Sequence, residues 1–365
     1  MGDAMHERNQ SNYYYMFPAV RGMQAGREFY IATCPLLTIP KIFSFDEEEV
    51  PPELRAQRSL NKARIPDMVR YLLENPDNYI FSALTASVAI DVHFEALNDA
   101  GSLGTLQVPM GAQILINDGQ HRRKAIEEAL KANPELGYDN IPVLFFVDRG
   151  LVRSQQMFAD LNKYAVRPSP SLATLYDHRD PSAQLACYLA ENIEPFVGFT
   201  EMEKSSISSL SNKLFTLSSI KQATRALLGK GLKDVYSNDE KHKAECFWRA
   251  VFGVMPEWQM VRRREISPAS MRQEFIHSHG VGLQAIGLMG KGLLQHSPYN
   301  WEQKLEGLRD IDWRKANPEW LKRTMLHGKI SKSAISIHLT SNALKQKLGI
   351  PLNSEEQKLE EQLKS

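Results

Sequence analysis

The sequence predicts an α+β protein, a mixed strand-and-helix lobe followed by an all-helical domain. Three observations carry this. Between Gln113 and Lys163 the apolar pattern alternates between strand-like and helix-like runs, as a β/α unit requires. Beyond about residue 182 strand patterns give way to helical ones. The chain has 365 residues, too many for one core when a domain takes roughly 100–200.

The elements follow in order. Tyr13 to Leu37 reads as a hairpin, with β-favouring Phe29-Tyr30-Ile31-Ala32 after the turn signal Ala25-Gly26-Arg27. Pro51 and Pro52 mark a loop or helix start. Asn61 to Glu74 is helical, because Ile65, Met68, Val69 and Leu72 share one face. Tyr79 to Ala89 reads as a buried strand, and Phe94 and Leu97 lead into the Gly101–Gly104 turn. Gln113 to Ile116 is a short strand, Asn117-Asp118-Gly119 the tight turn leaving it, and Gln120 to Ala132 a helix with Ala125, Ile126 and Ala129 inward. Pro142 to Val147 is a second buried strand and Val152 to Lys163 a further helix. Helices are expected over Ser182–Asn192, Ser208–Leu228, Asp239–Val254, Pro268–Gln295 and Trp301–Leu308. Serines 205, 206, 208, 209 and 211 read as a loop and helix cap. Trp301, Trp313 and Trp320 are expected as packing anchors.

These readings give a flexible arm over 1–12, an α/β lobe over 13–181 and a helical, basic domain over 182–365. With 42% hydrophobic and 24% charged residues the chain is globular. It has no apolar run long enough to span a membrane, and its polar first dozen residues lack a signal-peptide pattern. Cys34, Cys187 and Cys246 are too scattered for a zinc site or a disulfide framework. Reduced, mostly buried thiols and a cytoplasmic location are expected. The net charge of +1 hides a polarity. Residues 1–199 hold 18 Lys and Arg against 25 Asp and Glu, whereas 200–365 hold 26 against 18. A basic lobe can meet phosphates while the other lobe does something else.

The most chemical stretch is Asp118-Gly119-Gln120-His121-Arg122-Arg123. Gly119 permits a sharp turn and a close backbone approach to a ligand, and the helix behind it offers unpaired N–H groups to an anion. Gln120, His121, Arg122 and Arg123 add donors, and Asp118 can cap the helix or take a hydroxyl or a metal. Two arginines and a histidine at the positive end of a helix are unfavourable unless something negative sits there. His121, beside two arginines, is expected as a neutral donor.

Gly119-Gln120-His121-Arg122-Arg123-Lys124-Ala125 is similar to the Gly-Glu-Arg-Arg-x-x-Ala phosphate loop of ParB-type nucleotide-binding domains. Asp118-Gly119-Gln120-His121-Arg122 is the name-giving motif of the DGQHR-domain family, and within it the chain resembles the DndB family of the DNA phosphorothioation system. Supporting segments are Tyr13–Ala19, Val50–Arg58 and Phe158–Lys163. The resemblance implies a ParB/sulfiredoxin-like fold for the front lobe and autoregulation of phosphorothioation genes. It also limits the chemistry. Sulfiredoxins carry a Gly-Cys-His-Arg loop whose cysteine is the nucleophile; Gln120 stands there instead, so that reaction is excluded. The Glu-Asn-x-x-Arg box of ParB proteins has Leu161-Asn162 as its counterpart, with Asp160 alongside.

Arg262-Arg263-Arg264, with Arg272 nearby, is the densest cationic run. In a loop it could track a DNA backbone; ion pairs with Glu257, Glu265 and Glu274 are the alternative. Lys329 to Leu348 resembles two short helices in a weak helix-turn-helix pattern, with Ser331 and Ser341 as caps. Glu355 to Lys364 reads as an amphipathic end helix for docking or dimerisation.

The function expected is a DNA-binding transcriptional regulator of phosphorothioate modification. Its partners would be double-stranded operator or promoter DNA, other phosphorothioation proteins and further copies of the chain. Asp118, Gly119, Gln120, His121, Arg122, Arg123 and Asn162 would hold a nucleotide, ATP or CTP with Mg²⁺. Arg262, Arg263, Arg264 and Arg272 would contact DNA. The rivals are an enzyme, a nucleotide triphosphatase or a nuclease of DNA defence using Asp118 and Asn162 around Mg²⁺, and a non-catalytic adaptor that holds the modification enzymes together. No Walker lysine motif is present, which disfavours P-loop chemistry.

Overall fold

A computed structural model describes residues 13–43, 62–97, 99–147, 156–157, 160–161, 168–231 and 234–364. The chain divides into two compact units, residues 1–166 and 167–365. The first carries a large mixed sheet and the second is chiefly helical, so the fold is α+β. The arm over 1–12 and the Val50–Arg58 segment lie outside the described residues.

The strands of the first unit are β1 (Tyr14–Gln24), β2 (Arg27–Pro35), β3 (Leu84–Val88), β4 (His93–Ala96), β5 (Leu103–Pro109), β6 (Ile114–Asp118) and β7 (Asn140–Val147). They form one sheet in the order β4-β5-β1-β2-β7-β3-β6. Strands β3 and β7 run parallel and every other neighbouring pair antiparallel. The expected hairpin is β1–β2. Gln24 pairs with Arg27, and Ala25 and Gly26 between them have φ of 51° and 73°, the left-handed pair of a two-residue hairpin turn.

Alternate residues of β2 and β7 face the core: Tyr30, Ala32 and Cys34, and Ile141, Val143 and Phe145. All five residues of β3 are buried, as in a central strand covered on both faces. Helices α1 (Ile39–Ile42), α2 (Ile65–Glu74) and α3 (Gln120–Ala132) are interleaved with the strands in the chain, and α3 packs on both α1 and α2. Helix α3 buries Arg123, Ala125, Ile126 and Ala129.

Some boundaries differ from expectation for identifiable reasons. The strand expected over Tyr79–Ala89 is shorter, because Tyr79 bonds Asp139 and the Ile80 N–H donates to the Tyr71 hydroxyl instead of entering a ladder. Strand β5 is masked in the sequence by its terminal proline and by Gly104, whose missing side chain admits Phe94 and the Glu95 backbone of β4. Of the helix expected over Val152–Lys163, the described Gln156, Met157, Asp160 and Leu161 are helical.

The second unit holds α4 (Pro170–Tyr176), α5 (Pro181–Asn192), α6 (Leu217–Leu228), α7 (Asn238–Val254), α8 (Pro256–Arg262), α9 (Pro268–Glu274), α10 (Gly280–His296), α11 (Trp301–Leu305), α12 (Ala334–Lys347) and α13 (Ser354–Lys364). Its core gathers Phe196, Phe215, Phe247, Trp248 and Trp258 with Trp313 and Trp320. The last two rings stack 5.8 Å apart, the anchoring role expected of them. Helices α6 and α10 pack closely because α10 is rich in glycine: a Cβ on Gly287 would strike the Ala223 carbonyl, and one on Gly290 would strike Leu227 of α6 and the Phe247 ring of α7.

The expectation of an all-helical second domain needs correction. Thr200–Glu201 pairs with Phe215–Thr216, and Met325–Leu326 with Lys329–Ile330. The first pair and the wrapped 208–213 loop delay α6 until Leu217, where Thr216 caps it. The second pair removes the expected helix-turn-helix. His327 and Gly328, at φ 49° and 74°, turn the chain tightly, so Lys329 lies in a hairpin and a single helix follows, capped by Ser333. The stretch Pro268–Gln295 breaks into α9 and α10 because the Ile276 N–H donates to Trp313 O and Ser278 Oγ to Met271 O and Phe275 O. The end helix α13 packs on its own unit, with Arg323 on Glu360 at 2.6 Å and Lys345 on Glu356 at 2.5 Å.

Cys34 is buried, and burial pushes its thiol up to about 12. Cys187 and Cys246 are half-buried, so one of the three thiols, not most, is fully inside. Among the described residues no helix is long and apolar enough to cross a membrane.

Candidate functional site

The Asp118–Arg122 turn leaves the sheet from β6, an edge strand. Thr85 of β3 stands opposite Asp118, and the register shifts between Thr85 and Ala86. Gly119 turns the chain with φ 108°, a conformation L side chains rarely adopt. There is no room for one either, since a Cβ would collide with Leu84. The geometry therefore demands the glycine that the sequence places there.

Helix α3 starts at Gln120 with no side-chain cap and no acidic residue in its first turn. This thirteen-residue helix thus has no side-chain cap at its positive end among the described residues. The Gln120 side chain turns back, donating from Nε2 to Ile116 O at 2.9 Å. Arg122 donates from Nη2 to Asp118 Oδ2 at 2.7 Å, with side-chain exposures of 15% and 49%. The Arg122 Nε–H is buried, with no partner among the described residues. The turn thus contains part of its own counter-charge and leaves one buried donor over.

Arg123 stands apart. It is buried, bonds Glu127 Oε2 at 2.5 Å and reaches Pro40 O at 3.3 Å. Burial holds its pKa down, against the opposing effect of Glu127. Arg123 ties α3 to the α1 region, and Lys124 pairs with Glu127 and Glu128. His121 is half-buried in the first turn of α3. Asn162, the second candidate catalytic residue, lies outside the described residues.

Asn117, which the sequence marks only as a turn residue, has a larger part. It is fully buried, donating to Ser87 Oγ at 2.5 Å and contacting Met157 Sδ at 3.0 Å. These contacts fix the end of β6 just before the turn. No local signal announces them, because Ser87 and Met157 are distant in sequence.

The arginine run lies in the second unit, at the end of α8. Glu265 N–H donates to Met260 O and Arg264 N–H to Val261 O, which is the Schellman closure of a helix. Arg264 holds the left-handed position at φ 62°. Arg262 pairs with Glu194 at 2.8 Å and Arg263 with Glu265 at 2.6 Å, while Arg264 is exposed with no ion pair among the described residues. Of the expected partners, Glu265 is found on Arg263; Glu257 faces His277 instead.

Arg272 is not part of that exposed run. It is 9% exposed, and its two Nη atoms donate to the carbonyls of Ser208, Ser209, Ser211 and Lys213. It gathers the serine-rich segment into a loop, which is why that segment is not helical. Its burial excludes it from an open phosphate-contact face, correcting its expected grouping with Arg262–Arg264.

The DndB family of DNA-sulfur modification-associated proteins matches residues 17–351, nearly the whole chain and including both units' principal elements. The chain belongs to the DndB family. Membership ties this DndB chain to DNA sulfur modification. No curated protein and no solved structure matches it. Among the described residues no three His, Cys, Asp or Glu side chains are grouped to hold a metal ion. Near the turn Asp118 offers one carboxylate, already engaged by Arg122.

Proposed function

We propose that this DndB-family chain is a cytoplasmic, DNA-binding transcriptional regulator of phosphorothioate modification, modulated by a phosphate-bearing nucleotide at the Asp118–Arg122 turn. The observation that carries the reading is an α3 N-terminus with no side-chain cap beside a buried Arg122 Nε–H, which has no partner among the described residues. A bound phosphate would satisfy both, through backbone donors and a charge-assisted hydrogen bond. ATP or CTP, bringing Mg²⁺ with it, is the expected ligand class. The pairing of Asp118 with Arg122 favours a binding turn over a hydrolytic one, because a metal would have to take that carboxylate from the arginine.

Operator or promoter DNA would be met by the exposed end of α8. Arg264 supports this, because a glycine would close the helix with less strain, so its side chain needs another reason to be there. Other phosphorothioation proteins and copies of the chain remain partners of the same reading. The test is a titration of operator DNA against the full chain over a range of salt, with and without ATP or CTP. Affinity should fall steeply with salt and shift when nucleotide is added. Binding that ignores both salt and nucleotide would refute the proposal.

A further inference from the structure

A second site lies wholly within the helical unit. It is a cavity of about 620 Å³ lined by residues of α6, α10 and α12 and of the serine-rich loop. A volume of this size is typical of small-molecule sites. The lining contains the cations Arg272 and Lys332 beside His279, and among the described residues no Asp or Glu.

The cations here are unbalanced. Arg272 is nine-tenths buried, yet the partners of its two Nη atoms are all backbone carbonyls. Lys315 is also drawn in. Its Nζ donates to Arg272 O at 2.6 Å, the same carbonyl that His279 Nε2 bonds at 2.8 Å. Among the described residues the part-buried Lys315 has no ion pair, and neither has the exposed Lys332 at the cavity's edge. Buried charge without a counter-charge is expensive, and proteins ordinarily pair it. An anion in the cavity would supply the missing pairing. The starts of α6, α10 and α12 line the same space, and α10 has no side-chain cap, so the helix ends add to the positive field.

The rest of the lining describes what the anion is attached to. Ile207, Phe215, Val281 and Ile337 form an apolar wall. Gln284 Nε2 donates to Gln222 Oε1 at 2.7 Å. This leaves a Gln222 amide donor and a Gln284 carbonyl acceptor side by side, a pair suited to a polar ring edge. We propose that this cavity binds a phosphorylated small molecule of mononucleotide size, its phosphate near Lys332 and the start of α10 and its ring against Phe215. This site is distinct from the Asp118–Arg122 turn and does not depend on that reading.

Calorimetric titration of the full chain with AMP, GMP, CMP and UMP tests it, with adenosine and inorganic phosphate as controls. At least one monophosphate should bind at one site. Lys332→Ala, an exposed change that spares the fold, should weaken it about tenfold or more, as removing a charge-assisted hydrogen bond does. Gln284→Ala should change the preference among the four bases. Arg122→Ala should leave the binding intact, which separates this site from the turn. Failure of all four to bind would overturn the proposal, as would inorganic phosphate binding equally well or Lys332→Ala having no effect. If Arg122→Ala alone abolishes binding, the ligand belongs to the turn and the cavity proposal falls. If a DNA oligonucleotide displaces the monophosphate and itself loses affinity in Lys332→Ala, the anion is a DNA phosphate and the proposal falls equally.

Discussion

The carboxylate of Asp118 holds the guanidinium of Arg122 at 2.7 Å across the turn from β6 into α3. The ion pair joins the last residue of a strand to the first turn of a helix. It points Arg122 Nη2 at a fixed place while Nε stays buried, with no partner among the described residues. An arginine held in this way is pre-oriented for a second negative group, since its side-chain entropy is already partly spent.

Arg122→Ala is therefore expected to weaken ATP or CTP binding by about 1.5–3 kcal/mol, the range for hydrogen bonds to charged groups. Equilibrium dialysis with the labelled nucleotide measures this directly. Asp118→Asn separates sensor from enzyme. In a binding turn it changes affinity modestly, because the amide still bonds Arg122. Metal-dependent phosphate release by the unmodified chain, abolished in Asp118→Asn, would show a hydrolase instead.

Arg264 offers a different kind of test. Its left-handed conformation is strained for any side chain with a Cβ, by roughly 1 kcal/mol. Arg264→Gly should relieve that strain and raise the midpoint of denaturant unfolding. If Arg264 neutralises a DNA phosphate, the same variant should bind DNA more weakly, with a salt slope shallower by about 0.9 because one fewer counterion site is displaced. A rise in stability with unchanged DNA binding would leave Arg264 as a strained helix end and nothing more.

These two sites show what is legible in the sequence and what is not. The bounds of α3 and the turn at Gly119 can be read because a strand run, a glycine and a helical face follow each other within a short stretch. The direction of Arg123 cannot. Its position on the helix face is local, but its partner Pro40 lies on a segment brought close only by the sheet. Arg272 escapes a sequence reading for the same reason: the carbonyls it gathers, from Ser208 to Lys213, are distant along the chain. The absent helix-turn-helix turns on a subtler point, since His327-Gly328 is a hairpin signal only when Met325 and Ile330 are free to pair.

The closing helix α13 is held by charge in a buried setting. Arg323 meets Glu360 through two hydrogen bonds of 2.6 Å and also donates to Leu339 O. Glu360→Ala would leave the guanidinium, 13% exposed, without its carboxylate, which costs about 3–5 kcal/mol for buried pairs. Chemical denaturation should show the drop. Replacing both partners, as in Arg323→Met with Glu360→Leu, should recover most of it, because no charge is then left unpaired. A double variant as unstable as the single one would point to shape rather than charge.

Acid sensitivity is expected from His279. Burial, then the nearby charge of Lys315, pushes its imidazole down to about 4 from an ordinary value of 6.5. His277 is lowered in the same direction, by burial among Trp258, Phe275 and Trp313 and against the opposing effect of Glu257. In the unfolded chain both rings take up a proton near pH 6.5. In the folded chain His279 does so only near pH 4. Between these values the unfolded state binds more protons, so stability falls as pH drops from about 6.5 towards 4. For His279 alone the decline is on the order of 3 kcal/mol across that window, at about 1.4 kcal/mol per unit. Thermal melts at pH 7 and pH 5 should show it in the native chain. His279→Asn keeps an amide donor and a good helix-capping residue but cannot be protonated, so its melting temperature should fall less over the same interval. An unchanged decline would assign the acid sensitivity to His277 and the carboxylates, with His279 contributing only its hydrogen bond to Arg272 O.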